Sequence, residues 1–376
     1  MAYGFHVHPK EYTADVRGFS FVVERDGDLY KAYKSGKGLT FEDDDASEVI
    51  NTIISQSPDY GKIFIKIGEY NITSPIRISK PLTLFGEDRH GTILKQSGDV
   101  DVVQVDSGYV KICNLKILGD YDTYDGRGIN FLSYYRDCNL ENLYISKTKR
   151  EGILLWAGMC FLKNIIVIDC GGFPTDSSYY SSVLLKSSDD IFGVNLDFGG
   201  SHRGTGTGRA SLDISGCGNI FLNNIRLFGS VWGLFIYEPN SLITIQNFVI
   251  DDCEYAFRWG SITHPEYVKI SQGRVYNLDY GVMANEPPSG VLLKDIEGYR
   301  TENSGVATFS GDGSTTEFKI EHGLAKAPSK YVVSPLTPDA HADKTISVDD
   351  TYIIITFSTA PPSGTDNLKF SWWAEV

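Results

Sequence analysis

A short pattern of polar and apolar residues recurs between residues 114 and 298. It starts with Asn, or in two copies with Gln or Asp, and continues with an apolar, a variable and an apolar residue. The clear copies are NLKI at 114, NLYI at 142, NIIV at 164, NLDF at 195, NIRL at 224 and NFVI at 247, and the weaker ones are QGRV at 272 and DIEG at 295. Successive copies are 22 to 31 residues apart. Such a period is typical of a solenoid in which each repeat forms one coil.

The alternation inside this pattern predicts a β-strand. Neighbouring side chains of a strand point to opposite faces, and fourteen of the sixteen residues one and three positions after the first residue are bulky and apolar. The residues between them, which would point outward, are Lys116, Tyr144, Ile166, Asp197, Arg226, Val249, Arg274 and Glu297. We therefore predict an all-β fold, a parallel β-helix whose stacked Asn residues form a ladder of side-chain hydrogen bonds.

A second strand recurs between the copies of the pattern. It reads GINF at 128, GILL at 152, SVLL at 182, SLDI at 211, GLFI at 233 and GVMA at 281. Its predicted outward residues are Asn130, Leu154, Leu184, Asp213, Phe235 and Met283, four of them apolar. A continuous apolar stripe usually marks a buried contact. We expect the lateral interface of a homotrimer there; the alternative is that residues 1–40 of the same chain cover the stripe.

The chain before the repeats predicts a cap for the solenoid. Residues 45–57 place five apolar side chains on one helical face: Ala46, Val49, Ile50, Ile53 and Ile54. Asp45 and Glu48 have the spacing of a capping box, and Pro58 follows the predicted end. Residues 1–40 contain two alternating runs around Asp26-Gly27, which indicates a hairpin in a separate N-terminal attachment segment.

The coil pattern stops near residue 303, so we assign the solenoid to residues 41–303. Residues 304–376 contain four apolar strand-like runs, TEFKIEHGL, KYVVSPL, TYIIITF and NLKFSWWAEV, separated by turn residues. They predict a small C-terminal β-sandwich that serves in trimerisation or receptor binding. Trp372 and Trp373 belong either to the core of this sandwich or to an interface.

Charge and composition exclude several classes of protein. With 34 Lys and Arg against 48 Asp and Glu, the net charge is −14, and no basic arm suited to nucleic acid is present. The longest apolar run, residues 152–162, is too short to cross a membrane. The first residues, MAYGFHVHPK, lack the features of a secretory signal. Neither nucleic-acid binding nor membrane insertion is expected.

The six cysteines indicate core packing. Cys138 and Cys160 lie four residues before their Asn, and Cys170 and Cys253 lie six residues after theirs. We expect small core side chains stacked on one another, with a disulfide between Cys138 and Cys160 as the alternative. We expect no cofactor and no metal, because DYDTYD at 120–125 lacks the spacing of a calcium loop.

Long turns after the Asn-initiated strands predict a binding flank. These turns are residues 119–128, 169–180 and 199–209, with residues 146–152 between the first two. Insertions on one side of consecutive repeats are where binding loops usually lie. Candidate substrate-binding residues are Asp122, Tyr124, Asp125, Lys149, Arg150, Asp176, Tyr179, Tyr180 and Arg203.

Three residues of this flank are candidates for catalysis: Asp120, Asp169 and His202. Coils are about 4.8 Å apart, so Asp120 and Asp169, two coils apart, have backbones separated by roughly 9–10 Å. Inverting glycoside hydrolases place their two carboxyl groups about 6.5–9.5 Å apart. His202 lies one coil beyond Asp169. The alternative is that all three are ordinary residues of solvated turns.

Several segments resemble known families. DDASEVINTII, GKIFIKIGEYNITSPIRI and LTLFGEDRHGTIL, within residues 43–96, resemble the start of the pectate-lyase-like right-handed parallel β-helix superfamily. GDGSTTEFKIEHGLAKAPSKYVVSP looks like the C-terminal domains of viral tail fibres and tailspikes. The Gly-His-Gly motif of polygalacturonases and the Arg-x-Pro-x-x-Arg motif of pectate lyases are missing from the sequence. These differences disfavour a standard pectinase.

The resemblance implies a right-handed, tailspike-like, homotrimeric protein at a virion surface or outside the cell. It implies recognition of a cell-surface polysaccharide. The spacing of Asp120 and Asp169 adds the expectation that the protein depolymerises this polysaccharide by inverting hydrolysis. We also expect docking to a larger particle through the N-terminus. The alternatives are a non-enzymatic adhesin or structural spike, and a soluble polysaccharide lyase, because this fold hosts many activities. The missing secretory signal fits a virion protein released by lysis and a cytoplasmic protein equally well.

Overall fold

Strands make up most of this protein. The computed structural model describes residues 18–171, 180–200, 210–239, 241–263 and 267–376, and 58% of the chain is strand against 5% helix. One compact unit contains the described residues up to Lys269 together with Tyr276–Val291, and the other contains Ile270–Val275 and Leu292–Val376. Within these ranges, no helix is long and apolar enough to cross a membrane.

The first unit begins with three antiparallel strands and a helix. They are β1 (Phe21–Asp26), β2 (Leu29–Lys34), β3 (Gly38–Asp43) and α1 (Ala46–Gln56). β1 and β2 form a hairpin in which Asp26 lies opposite Leu29. β1 also pairs in parallel with β4 (Gly61–Ile65), which begins the solenoid.

The helix α1 buries the apolar face that its sequence predicts. The Asp45 carboxylate accepts a hydrogen bond from the Ser47 amide at 2.7 Å and so caps the helix. The predicted capping box is wrong in its other half, because the Asp45 amide donates to Asp43 at 2.9 Å. Glu48 instead accepts from the Thr52 hydroxyl at 3.4 Å. Asp43 lies just before the cap, so its carboxylate takes the amide that Glu48 would have satisfied.

The solenoid has about nine turns. Its longer parallel sheet runs through β4, β7 (Leu82–Gly86), β10 (Val110–Leu118), β13 (Asn139–Ser146), β15 (Ala157–Ile168), β17 (Asp189–Gly199), β19 (Gly218–Phe228) and β21 (Ile243–Asp251). β5 (Gly68–Ile72) pairs with β8 (Thr92–Gln96), β8 pairs with β10, and β12 (Tyr135–Arg136) pairs with β15. The parallel β-helix expected from the repeats is confirmed.

A second parallel sheet forms another side of the same coils. Its strands are β6 (Ile76–Ile78), β9 (Val103–Val105), β11 (Ile129–Phe131), β14 (Ile153–Leu155), β16 (Val183–Lys186), β18 (Ala210–Ser215), β20 (Trp232–Tyr237), β22 (Tyr255–Trp259) and β24 (Gly281–Met283). Two further strands are β23 (Val268–Tyr276) and β25 (Leu292–Glu297).

Residues in the left-handed conformation form the corners of the coils. The ladder residues have positive φ: Asn114 62°, Asn142 53°, Asn164 54°, Asn195 56°, Asn224 55° and Asn247 51°. In several coils two more corners lie five residues before and after the Asn, as Met159 and Asp169 do around Asn164. Asn tolerates this conformation better than most residues, so the backbone itself favours Asn here.

The predicted amide ladder is present, with one gap and one shift. The Asn142 amide donates to Asn114, Asn195 donates to Asn164 at 2.9 Å, and Asn224 donates to Asn195 at 2.7 Å. Asn247 instead donates to Asn223, at 3.2 Å. Among the described residues no side-chain bond joins Asn142 to Asn164. The ladder therefore ties neighbouring coils in two runs, Asn114 to Asn142 and Asn164 to Asn224, in addition to the strand pairing.

Inward residues stack in columns, as the alternation predicts. The first column holds Leu115, Leu143, Ile165, Leu196, Ile225 and Phe248, all buried and in register. The second holds Ile117, Ile145, Val167, Phe198, Leu227 and Ile250, also buried. All six cysteines are free and buried, so the core interpretation is confirmed and the Cys138–Cys160 disulfide is not formed.

The apolar stripe on the second sheet differs from its prediction at one end. Leu154 and Leu184 are half-buried neighbours in register, and Asp213, next in the column, is buried. The prediction that Met283 points outward is wrong, because Met283 pairs with Phe257, which points inward. Gly281 pairs with Tyr255, whereas the first residue of the other copies predicts a pairing one position later. A slip of one residue moves every side chain of a strand to the other face.

The second unit ends in two small antiparallel sheets. One contains β26 (Glu302–Gly311), β31 (Gly364–Glu375) and β28 (Lys330–Pro335), and the other contains β27 (Glu317–Glu321), β30 (Tyr352–Phe357) and β29 (Lys344–Val348). A short 3₁₀ helix spans Pro338–His341. Phe318, Ile355 and Phe370, from three of these strands, share one buried core. This is the small C-terminal sandwich that the sequence predicts; the domain boundaries at residues 40 and 303 stay predictions.

Candidate functional site

A groove runs across the coils beside the Asn ladder. In each coil, the residue two positions after the Asn points outward. Five of these outward residues lie next to one another in register: Tyr144, Ile166, Asp197, Arg226 and Val249. The groove has a volume of about 500 Å³ and is lined by ladder asparagines, by four of these outward residues and by Arg89. It therefore combines a regular array of amides with a few charged side chains.

Asp197 is the most unusual side chain in this groove. Its Oδ1 atom is buried and has no hydrogen-bond partner among the described residues. Burial raises the pKa of the Asp197 carboxyl, the positive charge of Arg226 opposes that rise, and the negative charge of Asp251 adds to it. A half-buried carboxyl that keeps its proton to higher pH is typical of a proton donor.

Arg226 lies beside Asp197 and is held by Asp251. The guanidinium donates two hydrogen bonds to the Asp251 carboxylate, at 3.2 and 3.0 Å, and it lies 4.4 Å from the centre of the Phe228 ring. Asp251 is 6% exposed and also accepts from the Tyr276 hydroxyl at 3.4 Å. Because both Asp251 oxygens are engaged, Asp251 positions Arg226 and is poorly placed to act as a base.

The other end of the groove carries aromatic and basic side chains. The Tyr144 ring lies 5.5 Å from the His90 ring, and the Lys116 ammonium lies 5.2 Å from the centre of the Tyr144 ring. The Arg89 guanidinium donates to His90 at 3.4 Å. Burial first, and then the negative charge of Asp169, raise the pKa of the Tyr144 hydroxyl.

Asp169 occupies the corner three residues after Ile166, which lines the groove. It has φ 54° and is exposed. A Cβ atom added to Gly200 would lie 2.6 Å from the Asp169 Oδ1 atom, so the carboxylate packs over the next coil. Gly200 is three residues beyond Asp197, which is about 10 Å along an extended strand. Asp169 and Asp197 thus lie on neighbouring coils, Asp197 in the lining of the groove and Asp169 at the corner that follows the groove-lining Ile166.

The structure brings together three of the predicted substrate-binding residues. Arg150 donates two hydrogen bonds to Asp125, at 2.8 and 2.6 Å, and the Arg150 guanidinium lies 5.5 Å from the Tyr180 ring centre. The hydrogen bond from Arg150 lowers the pKa of the Asp125 carboxyl below its usual value. The charged groups of this cluster bond one another, so the ion pair between Asp125 and Arg150 rigidifies the turn.

The remaining predicted residues are distributed along the flank. Asp120 lies next to Gly119, whose amide donates to Ser146, and Leu118, Ser146 and Ile168 are in register. Asp120 and Asp169 are therefore two coils apart, as expected. Asp122 is exposed, whereas Tyr124 and Lys149 are half-buried. Asp176, Tyr179, His202 and Arg203 lie outside the described residues.

A buried ion pair lies below the same turns. Arg127 donates to Glu151 at 2.7 Å, and Glu151 is 4% exposed. Burial raises the pKa of the Glu151 carboxyl, and the Arg127 charge opposes this rise. Among the described residues, no group of three or more His, Cys, Asp or Glu side chains is placed to hold a metal ion.

Sequence reasoning missed the importance of Asp197, Arg226 and Asp251. Asp197 and Arg226 are two of the outward residues of the repeat, and they served there only as evidence for alternation. The available signal was that charged outward residues on successive coils must become neighbours once the coils stack. Burial of one Asp197 oxygen, by contrast, depends on surrounding side chains and is visible only in the structure.

Comparisons with known proteins identify similar folds and no family. No protein-family model matches the chain, and no curated protein matches it. The tailspike gp61 of Pseudomonas phage phi297 is similar with a TM-score of 0.41 and 9% identity, over 85% of this chain and 64% of that one. This chain thus spans less than two thirds of that tailspike.

Two further solved structures are similar. The enzymatically active domain of tailspike protein 2 from bacteriophage CBA120 has a TM-score of 0.46 and 9% identity, over 89% of this chain and 68% of that one. The A-module of mannuronan C-5 epimerase AlgE6 from Azotobacter vinelandii has a TM-score of 0.32 and 12% identity, over 68% of this chain and 94% of that one. Similarity at this level concerns the fold alone.

Proposed function

We propose that this protein binds an extended cell-surface polysaccharide along the groove and hydrolyses it, with Asp197 as the proton donor. The observation that carries this proposal is the buried, unpartnered Oδ1 atom of Asp197 within the groove. The resemblance of the sequence to tailspikes directs the proposal to surface glycans, presented to a protein at a virion surface or outside the cell. The Asn ladder and the loop flank supply the binding surface.

The groove has the chemistry that an extended glycan requires. Sugar hydroxyls need both donors and acceptors, and each side-chain amide of the ladder offers both. The amides repeat at the coil spacing, about 4.8 Å, so successive sugar units meet similar partners. Tyr144 adds an aromatic face at one end of the groove, where Lys116 and His90 surround it.

Asp197 and Asp169 together support hydrolysis with inversion. Asp197 gives its proton to the glycosidic oxygen as the bond from that oxygen to the anomeric carbon breaks. A water molecule forms the new bond to the anomeric carbon from the opposite face, and Asp169 takes its proton. Asp169 is exposed and so reaches water, whereas Asp197 is half-buried with a raised pKa.

The long turns provide further contacts in this proposal. We assign a substrate-contact role to Asp120, Asp122, Tyr124, Asp125, Lys149, Arg150, Asp176, Tyr179, Tyr180, His202 and Arg203. The described members of this set lie on the turns that follow the strands β10, β13 and β15, so a glycan in the groove passes along their edge. The Asp125–Arg150 pair holds its turn in place and thereby presents Tyr180 to a ligand.

Substitution of the two carboxylates tests the proposal. Asp197→Asn and Asp169→Asn are each expected to lower the rate of cleavage about 10²–10⁴-fold, because each removes a proton-transfer step. Binding of uncleaved polysaccharide should persist in both variants. The measurement is release of reducing ends from purified capsular and lipopolysaccharide glycans. Asp252→Asn is the matched control, since Asp252 holds the same corner position as Asp169, with φ 55°.

The assay separates hydrolysis from the other functions. Cleavage that survives Asp197→Asn at the wild-type rate would exclude Asp197 as the acid. An unsaturated sugar at the new chain end would show a lyase in place of a hydrolase. Binding that is lost in Tyr144→Ala, without cleavage by any variant, would show a non-enzymatic adhesin that uses the same groove.

A further inference from the structure

Two adjacent tryptophans of β31 point to opposite faces of the C-terminal sandwich. Trp372 packs against the buried core, and a Cβ atom added to Gly305 would lie 3.2 Å from its indole nitrogen. Trp373 lies on the outer face, where its neighbours across the sheet are Ser304 on β26 and Val332 on β28. Packing in the core therefore accounts for the aromatic ring of Trp372. It does not account for the aromatic ring of Trp373.

The Trp373 ring is fixed in orientation. Its indole N–H donates a hydrogen bond to the Glu302 carboxylate at 2.7 Å. Glu302 lies two residues from Ser304 along β26 and points to the same outer face. The polar edge of the ring is thus satisfied within the protein, and the ring is held without being buried in the core. A preorganised aromatic side chain loses little entropy when a ligand packs on it.

Small apolar and polar side chains surround this ring. Val332 is 56% exposed and Val306 is 64% exposed. Ser371 lies two residues before Trp373, on the same face of β31. Lys330 pairs with Glu375 at 3.2 Å at one edge. The result is an apolar centre with hydroxyl and charged groups at its rim. Such a face offers both stacking area and hydrogen-bonding groups.

The size of this face argues against a second copy of the chain. Three strands about 4.8 Å apart give a face roughly 10 Å wide between the outer strand axes. A stable protein–protein interface buries about 800 Å² on each partner and uses 20–30 residues a side, which exceeds what three short strands present. A ligand of one to three sugar rings fits a face of this width.

We infer that the outer face of this sheet is a second saccharide-binding site, in which a sugar ring packs its C–H groups on the Trp373 indole. Ser304 and Ser371 then bond the ring hydroxyls, and Val332 covers its edge. This site is independent of the groove in the solenoid, and its existence does not depend on hydrolysis there. It would hold the protein on a glycan surface between catalytic events.

Fluorine NMR of the 376-residue chain tests this inference. The chain has five tryptophans, and labelling with 5-fluorotryptophan gives one resonance for each, assigned by single Trp→Phe substitutions. The probes are maltotetraose, cellotetraose, chitotetraose and tetragalacturonate at millimolar concentrations. At least one probe is expected to shift the Trp373 resonance in a saturable way. Because the Asp197→Asn variant leaves this face intact, it should give the same Trp373 titration.

Two variants separate stacking from a non-specific change. Glu302→Ala frees the indole ring and is expected to weaken the association about tenfold, whereas Glu302→Gln keeps an acceptor for the indole N–H and should weaken it less. Failure of all four probes to shift the Trp373 resonance would overturn the inference. A Trp373 resonance that moves with protein concentration alone, in the absence of sugar, would show contact between copies and would overturn it as well.

Discussion

At the scale of single residues, the repeated Asn serves two purposes. Its positive φ forms the corner of each coil, and its side-chain amide bonds the next coil, as Asn195 does with Asn164 and Asn224. Few residue types combine tolerance of this conformation with both a donor and an acceptor. The sequence repeat is therefore a consequence of backbone geometry as well as of side-chain pairing.

Two substitutions at Asn195 separate these contributions. Asn195→Ala removes both ladder bonds and places a Cβ without compensation at positive φ, so we expect a loss of about 2–4 kcal/mol in unfolding free energy. Asn195→Gly also loses the bonds but relaxes the backbone, so its loss should be about 1 kcal/mol smaller. Urea unfolding followed by circular dichroism measures the difference. Equal losses in the two variants would show that backbone conformation contributes nothing at this corner.

The charges around Asp197 predict how the rate of polysaccharide cleavage depends on pH. As a proton donor Asp197 acts only while protonated, so kcat/KM should fall as pH rises through its pKa. Arg226 lowers that pKa and Asp251 raises it. Arg226→Gln removes the first effect and exposes Asp197 to the unpaired charge of Asp251. Both changes raise the pKa, so the basic limb of the profile should move to higher pH.

A charge-conserving variant is the control for this shift. Arg226→Lys keeps the positive charge and should leave the basic limb close to its wild-type position. The comparison is made on pH profiles of reducing-end release for the two variants and the wild-type protein. A basic limb that moves to lower pH in Arg226→Gln would contradict the assignment of Asp197 as the acid.

At the scale of elements, the sequence predicts strands, columns and cap more reliably than individual contacts. Period-two alternation specifies which residues point inward, because one face of each strand must be buried. Alternation failed at Met283, where the strand pairs one position earlier. The capping-box spacing failed at Glu48, because the carboxylate of Asp43 takes the Asp45 amide. Neither pattern describes the register of a single strand or the carboxylates that lie next to a helix cap.

The candidate site was harder to predict than the fold for a physical reason. Long turns are visible in the sequence as irregular spacing, so they drew attention to Asp120, Asp169 and Arg150. A groove that crosses the coils causes no irregular spacing in the sequence, because most of its residues come from five separate repeats. The burial that raises the pKa of Asp197 is a property of packed neighbours and of no single segment.

At the scale of the whole molecule, two sugar-binding surfaces are proposed, one in each compact unit. The groove belongs to the solenoid, and the Trp373 face belongs to the C-terminal sandwich. The protein carries a net charge of −14, yet basic side chains line both ends of the groove, Arg89 at one end and Arg226 at the other. The homotrimer along Leu154 and Leu184, and docking to a particle through residues 1–40, stay predictions.

The most direct test is a crystal structure of the Asp197→Asn variant with a fragment of surface polysaccharide prepared by mild acid hydrolysis. The variant keeps the shape of the groove and prevents turnover of the ligand. We predict sugar rings along the Asn ladder, with a glycosidic oxygen within hydrogen-bond distance of residue 197 and Asp169 facing the anomeric carbon. Sugar bound only along the turns of Asp120 and Arg150, with an empty groove, would contradict the account.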